Sequence, residues 1–346
     1  MPLDPAVAAV RRAVQPCFPG NAPVALVACS GGADSLALLA AAVHEGHRVD
    51  RHVVGVTVDH GLQDGSAGHA DRVVAQMAEL GADETVAVRV RVEAAGQGPE
   101  AAAREARYAV LEQVAQQVAQ QSGTAGESAR VLLGHTLDDQ AETVLLGLAR
   151  GSGTRSLSGM RRGFDCFSRP LLEVTRAQTE AACRAQGIEW WSDPHNDDPR
   201  FLRSRVRRDV LPVLERELGP GVARALARTA RLCRSDADFL DDLAERELEA
   251  AAADPDAAGP DRAAAGYRSH PLERLDDAVG LRTLRLAALE AGALARDLTF
   301  EHVLAVGDLV TGAWQHQVSR QVQLPGHVTA YREGDLLKFR RTAVPG

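Results

Sequence analysis

The sequence contains almost no lysine. Of its 39 basic residues, Lys338 is the only lysine and all the others are arginine. A phosphate-binding loop of the Walker type needs a Gly-Lys-Ser/Thr tripeptide, whereas Lys338 follows Leu337 and precedes Phe339. The sequence therefore excludes a Walker loop, and a catalytic lysine supplied by the chain could only be Lys338.

Cysteine is also scarce. The five cysteines stand at positions 17, 29, 166, 183 and 233, and no two of them form a C-x-x-C pair. An odd number of widely spaced cysteines argues against a disulfide framework. The same spacing argues against a zinc or iron–sulfur site.

Long uninterrupted apolar runs are missing as well. Residues 13–33 carry no charge, but three prolines, Gly20 and Asn21 interrupt them, so they predict no membrane span. The N-terminus lacks the basic-then-apolar order of a signal peptide. We therefore expect a soluble, cytoplasmic protein that has no membrane partner.

The charges that are present are segregated along the chain. The net charge of −8 combines −8 for residues 1–149, +7 for residues 150–234 and −7 for residues 235–346. The densest basic stretch, residues 200–234, holds 10 arginines against three acidic residues. A polyanion responds to the local field and not to the sum, so this stretch could face RNA, although a solvated helix face explains a charge run equally simply.

The first half of the chain alternates apolar runs with helical patterns, which predicts a parallel α/β sheet with crossover helices. The predicted strands are 24–29, 53–58, 85–92, 131–134 and 188–191. The predicted helices of this half are 33–44, 100–121, 138–149 and 176–186. Beyond about residue 198 helices dominate, at 200–218, 222–252, 281–291 and 300–310, with a flexible loop at 250–266 and hairpins at 317–340. We expect an α/β domain over residues 1–215 and a smaller, mostly helical domain over 216–346.

The strongest local signal is the hexapeptide Ser30-Gly31-Gly32-Ala33-Asp34-Ser35, between a predicted strand and a predicted helix. Two glycines allow a ligand to approach the backbone, and the N–H groups of the first helical turn point toward it. The carboxylate of Asp34 would repel phosphates unless a divalent cation lies between them, or unless it caps the helix. A capped Gly-Gly turn is the simpler explanation, but the strand–SGGxDS–helix register favours a phosphate site.

A second motif, Gly134-His135-Thr136-Leu137-Asp138-Asp139-Gln140-Ala141-Glu142-Thr143, follows the fourth predicted strand. Asp139 and Glu142 are three residues apart and share a helix face. With His135 nearby, these carboxylates could hold a metal ion or an ammonium group. The usual preference for acidic residues at a helix N-terminus accounts for the aspartates but not for His135 and Glu142.

Three further motifs are weaker by themselves. Arg104 and Arg107 share a helix face and could meet phosphates or a carboxylate, although surface arginines are common on helices. The segment from Arg150 to Arg155 could bind phosphate through its backbone, or could be a flexible loop. The segment from Asp193 to Arg208 ends with five arginines in nine residues and could contact an RNA backbone.

These motifs occur in the order found in the bacterial tRNA(Ile)-lysidine synthetase family, which the sequence resembles over roughly residues 20–215. The hexapeptide resembles the PP-loop of the ATP pyrophosphatase superfamily. The other blocks that carry the resemblance are Val58-Asp59-His60-Gly61-Leu62, Ala103–Tyr108, Gly134–Thr143, Arg150–Gly153, Arg169-Pro170-Leu171-Leu172 and Asp193–Arg207. Three residues depart from the family pattern, namely Gln63, His195 and Ser204.

The resemblance implies an enzyme that uses ATP and Mg²⁺ to adenylate the wobble cytidine of an isoleucine tRNA with a CAU anticodon. Free L-lysine then displaces AMP. The residues implied to bind the nucleotide are Ser30, Gly31, Gly32, Ala33, Asp34, Ser35, Asp59, His60, Gly134 and His135. The residues implied to bind lysine or tRNA are Arg104, Arg107, His135, Asp139, Glu142, Arg150, Arg203, Arg205 and Arg207.

In this interpretation Asp34, Arg107, Asp139 and Glu142 are the catalytic residues, and Asp34 is the metal ligand. The acidic residues 139 and 142 would receive the lysine ammonium, and Arg107 or Arg203 its carboxylate. The oligomeric state is left open, with a homodimer as one option.

Three alternatives remain. A PP-loop tRNA thiolase would rely on paired cysteines, which this sequence lacks. A GMP or NAD synthetase has no need of the basic stretch at 200–234. A non-catalytic nucleotide-sensing or RNA-binding protein would leave Asp139 and Glu142 without a role. An assay of pyrophosphate release would distinguish such a protein from an enzyme.

Overall fold

The architecture is taken from a computed structural model of the chain. It describes residues 3–18, 24–59, 66–90, 99–121, 129–151, 153–192, 198–312 and 321–342. The described backbone forms two compact units that divide between Arg234 and Ser235.

The first unit alternates strands and helices. Its strands are β1 (Val24–Ala28), β2 (His52–Asp59), β3 (Glu84–Arg89), β4 (Arg130–Leu133), β5 (Gly163–Phe164) and β6 (Phe167–Ser168). Its first helices are α1 (Pro5–Val14), α2 (Ala33–His47), α3 (Ser66–Glu79), α4 (Pro99–Gln121), α5 (Leu137–Ala149), α6 (Gly153–Leu157) and α7 (Arg176–Ala185). Then follow α8 (Leu202–Arg205), a π-helical turn (Val206–Val210), α9 (Leu211–Glu217) and α10 (Val222–Ala251), which crosses into the second unit.

The sheet has the strand order β3-β2-β1-β4-β6-β5. All neighbours are parallel except β5 and β6, which form an antiparallel pair. From β1 the chain adds β2 and β3 on one side of the sheet and then returns to place β4 on the other side of β1. The direction in which strands are added therefore reverses between β1 and β4. Open α/β sheets bind ligands at the carboxyl ends of the strands beside such a reversal.

Alternating strand residues divide the core into two layers. On β1, Leu26 packs against α4, whereas Val27 joins the core formed with α1, α2 and α7. On β4, Val131 faces the α4 side and Leu132 the opposite side. Because successive side chains of a strand point to opposite faces, these apolar runs bury the sheet on both sides. The predicted parallel α/β class is thereby confirmed.

The second unit packs helices against a small antiparallel sheet. Its further helices are α11 (Gly259–Ala265), α12 (Ser269–Glu273), α13 (Asp277–Glu290) and α14 (Phe300–Thr311). Its strands are β7 (Tyr267–Arg268), β8 (Gln321–Leu324), β9 (Val328–Glu333) and β10 (Leu336–Arg341), in the order β7-β10-β9-β8. The predicted C-terminal hairpins are therefore present, with their turns after Leu324 and Glu333.

Three local predictions differ from the structure. Residues 188–191 form no strand, because their backbone passes over the loop after β1 and Trp191 N–H donates to the Gly31 carbonyl (3.0 Å). The predicted helix 200–218 contains a π turn just before Pro212, whose ring cannot continue the regular hydrogen-bond ladder. The predicted loop 250–266 contains α11, which Pro260 helps to initiate.

The compact units divide after Arg234, and the domain boundary at residue 215 stays a prediction. The first turns of α10 belong to the first unit, where the Arg234 guanidinium donates to the carbonyl oxygens of Ser158 (3.3 Å) and Gly159 (2.8 Å). All of the basic stretch 200–234 is therefore part of the unit that contains the parallel sheet.

Candidate active site at the carboxyl ends of β1 and β4

The loop between β1 and α2 turns the chain directly from the sheet into a helix. The Ser35 hydroxyl stabilises this loop, because Oγ donates to the Gly32 carbonyl (2.9 Å) and accepts from the Ser30 N–H (3.1 Å). Gly31 has a φ of 81°, and a Cβ at this position would lie 2.7 Å from Cγ2 of Val73. Both the backbone conformation and the space therefore require glycine.

The start of α2 presents an anion-binding geometry. Gly32 is its N-cap, and no side chain of the described residues caps the first turn. The free N–H groups there and the helix dipole favour a bound phosphate. Gly134, at the end of β4, packs against the same turn, since a Cβ at residue 134 would lie 3.2 Å from the Asp34 carbonyl carbon.

An imidazole and an indole flank the loop. His69 Nε2 donates to the Ser30 carbonyl (3.0 Å), and its ring centroid lies 4.1 Å from that of Trp191. The backbone bond from Trp191 to Gly31 secures the other side. The loop is thus held from α3 and from the segment after α7, as well as by its own hydrogen bonds.

Asp34 is a partly buried carboxylate in the first turn of α2. Thr179 Oγ1 donates to its Oδ1, and Nε of Arg176 lies 3.5 Å from its Oδ2. Burial raises the pKa of Asp34 to about 6, although Arg176 and Thr179 oppose the shift. Asp34 does not cap the helix, which removes one of the two explanations for its presence in the loop.

The donor set around Asp34 fits one kind of metal site. Among the described residues no three His, Cys, Asp or Glu side chains are grouped to hold an ion. A site with a single carboxylate fits Mg²⁺ that arrives with phosphate oxygens and water, because Mg²⁺ in such sites takes only one or two protein ligands.

The carboxylates of Asp139 and Glu142, here called the acidic pair, lie together at the start of α5. Asp139 Oδ2 accepts from the N–H (2.8 Å) and Oγ1 (3.0 Å) of Thr136, which completes a capping box. Glu142 is completely buried, with a relative exposure of 0%. Burial would raise the pKa of Asp139, but Arg176, the Thr136 N–H and other neighbours hold it below its ordinary value.

Three arginines neutralise the acidic pair. Arg207 is the closest, with Nε 2.7 Å from Glu142 Oε1 and a terminal nitrogen 3.2 Å from Asp139 Oδ1. Arg203 Nε lies 3.3 Å from Glu142 Oε2. Arg176 contributes contacts of 3.0 Å to Asp139 Oδ1 and 3.7 Å to Glu142 Oε1. Any ammonium group that binds here must therefore compete with guanidinium groups.

A second group of arginines has no acidic partner among the described residues. Arg104 (3.2 Å) and Arg169 (3.1 Å) both donate to the Tyr108 hydroxyl, and the Arg107 guanidinium lies 5.8 Å from the centre of the Tyr108 ring. We call Arg104, Arg107, Tyr108 and Arg169 the arginine–tyrosine cluster. Burial lowers the pKa of Arg107, and the neighbouring positive charges of Arg104 and Arg169 lower it further.

His135 lies near this cluster, at the end of β4. Burial lowers its pKa to about 3, and the charges of Arg169, Arg107 and Arg104 act in the same direction against Asp139. The imidazole is therefore neutral at physiological pH, and its buried Nδ1 lacks a hydrogen-bond partner in the described structure. A neutral imidazole beside guanidinium groups that have no acidic partner in the described structure suits an anionic ligand.

Comparison with known proteins agrees with this geometry. Residues 6–214 match the family model of the PP-loop domain. The tRNA(Ile)-lysidine synthase of Streptomyces coelicolor is 49% identical over 93% of this chain and 86% of its own length. That of Thermobifida fusca is 50% identical over 92% of this chain and 91% of its own length. The chain belongs to the tRNA(Ile)-lysidine synthase family.

Membership in the synthase family confirms the resemblance seen in the sequence and the assignment to the ligase class of enzymes. Among solved structures, the U34-tRNA thiolase NcsA of Methanococcus maripaludis matches 66% of this chain and 78% of its own, with a TM-score of 0.50 and 18% identity. At that identity the likeness shows the fold alone. No helix in the described part of the chain is long and apolar enough to cross a membrane.

The synthase fold brings most predicted residues to one edge of the sheet, but not all of them. Asp59, at the carboxyl end of β2, lies at the same edge but is buried and pairs with Arg89 (3.0 Å). His60 lies outside the described residues. Arg150 is exposed at the end of α5. Arg205 is exposed too, because it lies between Arg203 and Arg207, and a helical turn places those two on one face and Arg205 on another.

Three site residues of this synthase were not assigned from sequence. They are Arg176, Thr179 and Arg169. Arg169 stands in the Arg-Pro-Leu-Leu block, whose sequence implies no particular role for the arginine. Arg176 opens a helix behind the Thr175–Gln178 capping box, a signal that predicts the helix start but not what its side chains meet.

Proposed function

We propose that this chain joins free L-lysine to C2 of the wobble cytidine of the isoleucine tRNA with a CAU anticodon, at the expense of ATP. The observation that supports this most directly is the junction of a PP-loop with a buried acidic pair through one arginine, in a chain of this family. The first site suits a triphosphate and the second an amino acid.

In the proposed first step, O2 of the cytidine attacks the α-phosphorus of ATP, and pyrophosphate leaves. The N–H groups at the start of α2 hold the pyrophosphate portion. Asp34 would hold Mg²⁺, which offsets phosphate charge when bound. The arginine–tyrosine cluster offers three guanidinium groups to the same polyanion, and the neutral His135 offers a hydrogen bond.

In the proposed second step, the ε-amine of lysine attacks C2 of the adenylated cytidine. AMP leaves with the former O2, and the nitrogen loses a proton. Because the ε-amine must be uncharged to attack, the charged end of lysine is the part that fits the acidic pair. Its α-ammonium group would lie against Asp139 and Glu142, and its carboxylate against Arg203 or Arg207. Holding the amine beside the activated carbon is mainly a proximity effect.

The tRNA would bind along the basic stretch 200–234. Arg205 and other exposed arginines of this stretch can meet the phosphate backbone without disturbing the pairs inside the site. The cytidine lies in a single-stranded anticodon loop, so exposing it to the enzyme costs little free energy.

The sulfur-transfer alternative has less support. Cys29 and Cys183 are buried, and burial raises the pKa of both thiols, that of Cys183 to about 12. A thiol with a raised pKa is a poor nucleophile at physiological pH. The cysteines nearest the loop therefore suit a role in the core.

The direct test incubates the protein with ATP, Mg²⁺, labelled L-lysine and the CAU-anticodon tRNA. We expect the label in the tRNA, and mass spectrometry of the digested nucleosides should show cytidine enlarged by lysine less one water. A tRNA transcript with uridine at the wobble position is the matched control and should stay unlabelled. Absence of label from a folded, tRNA-binding preparation would disprove the proposal.

A further inference from the structure

Arg176 occupies an unusual position between the two halves of the site. Its single guanidinium group contacts Asp34 Oδ2 (3.5 Å) on the PP-loop side. It also contacts Asp139 Oδ1 (3.0 Å) and Glu142 Oε1 (3.7 Å) on the other side. One cation is therefore shared by three carboxylates from two different motifs.

Hydrogen bonds fix the backbone of Arg176, whereas its side chain can change ion-pair partners. Asp138 Oδ2 accepts from the Arg176 N–H (2.7 Å), and the Thr175 capping box holds the start of α7. Thr179, one turn later, donates to Asp34. The Arg176 side chain is 23% exposed, and two of its three ion contacts are at 3.5 Å or more. The helix can stay in place while the guanidinium changes partner.

Arg203 and Arg207 do not share this property. Arg207 holds Glu142 through two nitrogens, at 2.7 and 3.1 Å. Arg203 contacts Glu142 and the Thr143 hydroxyl (2.7 Å). Within the described structure Asp34 is paired with Arg176 and with neither of these two. Of these three arginines, Arg176 is therefore the one that can leave the acidic pair and still keep an anionic partner.

We propose that Arg176 is a positioning residue that couples the binding of ATP to the binding of lysine. This inference rests on the proposed function. An ammonium group that enters the site competes with Arg176 for Asp139 Oδ1 and Glu142 Oε1. A triphosphate beside Asp34 gives the displaced guanidinium a new anionic partner. ATP therefore strengthens lysine binding, and by linkage lysine strengthens ATP binding by the same factor.

Titration calorimetry tests the coupling directly. The dissociation constant of L-lysine is measured with and without Mg²⁺ and α,β-methylene ATP, which cannot release pyrophosphate. For the wild type we expect the nucleotide to tighten lysine binding by at least about fivefold. For Arg176→Gln we expect tighter lysine binding than the wild type when the nucleotide is absent, because the competing cation is gone. For this variant the ratio of the lysine dissociation constants measured without and with the nucleotide should fall to about one, since the coupling is lost.

Arg184→Gln is the matched control, because Arg184 lies on the same helix but contacts Glu180 (3.0 Å) and the Trp190 ring (5.6 Å to its centre) and none of the three carboxylates of the site. It should keep the wild-type ratio. Weaker lysine binding by Arg176→Gln in both conditions would mean a merely structural role and would overturn the proposal. An unchanged ratio would overturn it too.

Two further outcomes are distinguishable. If Arg176→Gln does not fold, Arg176→Lys takes its place. The side-chain ammonium of this variant reaches fewer carboxylate oxygens than the guanidinium does, so the ratio of dissociation constants should fall by half or more. An unchanged ratio for Arg176→Lys would refute the coupling. A wild type that binds ATP but no lysine would count against the proposed function itself, whereas wild-type lysine binding with no nucleotide effect would refute only the role of Arg176.

Discussion

Replacing Glu142 by glutamine removes the central charge of the candidate lysine site. Glu142 is completely buried, and its carboxylate lies within 4 Å of Arg176, Arg203 and Arg207. The substitution keeps the size of the side chain. It leaves Arg176 and Arg207 with Asp139 as their remaining carboxylate on that side, and it leaves Arg203 with no carboxylate contact among the described residues. We therefore expect a loss of stability and a loss of lysine binding.

The magnitude follows from the burial of the partners. Breaking a buried ion pair by removing one charge costs about 3–5 kcal/mol. The three arginine side chains are 23%, 33% and 27% exposed, so water relieves part of the cost. We expect Glu142→Gln to lower the free energy of unfolding by about 2–3 kcal/mol, which corresponds to roughly 5–10 °C in Tm for a domain of this size.

Thermal unfolding followed by circular dichroism at pH 7.5 measures this change. Glu180→Gln is the control, since Glu180 forms one exposed pair with Arg184, and such a change costs no more than about 0.5 kcal/mol. Calorimetry with L-lysine should show affinity reduced by at least about tenfold for Glu142→Gln, the equivalent of one lost charge-assisted hydrogen bond. If the variant melts within 1 °C of the wild type, the carboxylate does not hold the three arginines together.

Two other predictions concern Asp34 as the proposed metal ligand and Arg205 as a proposed tRNA contact. The raised pKa of Asp34, about 6, means that the folded protein binds this proton more tightly than the unfolded chain, so ionised Asp34 is lost as the pH falls through 6. Mg²⁺-dependent ATP binding, measured by calorimetry between pH 7.5 and 5, should weaken about tenfold for each pH unit below pH 6. Asp34→Asn should abolish both the effect of Mg²⁺ on ATP binding and the pH dependence of that effect. A pH-independent affinity would remove Asp34 as the ligand. Arg205→Glu should weaken tRNA binding and lower the slope of log K against log salt concentration by about one or more, while lysine binding stays unchanged. Filter binding at several salt concentrations measures the slope. An unaltered slope would mean that Arg205 faces solvent and does not contact the tRNA.

The local elements of the site could be read from the sequence because short-range rules determine them. Gly31 is required by a positive φ that the strand–turn–helix pattern already implies. The spacing of Asp139 and Glu142 places both on one helical face, and the same periodicity separates Arg205 from Arg203 and Arg207. The apolar runs of β1 and β4 predict a sheet that is buried on both sides.

What the pattern could not show is which charges meet. Arg176 and Thr179 lie about forty residues beyond the acidic pair along the chain, and only the packing of α7 against α2 and α5 brings them to Asp34 and Asp139. The segment 188–191 has the apolar character of a strand because Ile188 and Trp190 pack against the core around α2, while Trp191 N–H donates to the Gly31 carbonyl. Burial by distant elements also decides the pKa values of Asp34 and His135.

The sequence alone thus determined the fold class, the PP-loop and the family, since these depend on short local motifs and on their order along the chain. It also showed that lysine is nearly absent, which excluded a Walker loop. Only the tertiary structure decided that the acidic pair is already neutralised by three arginines, while Arg104, Arg107 and Arg169 lack an acidic partner in the described part of the chain. The physical reason is that Coulomb interactions depend on distance in space and on burial, and sequence separation specifies neither.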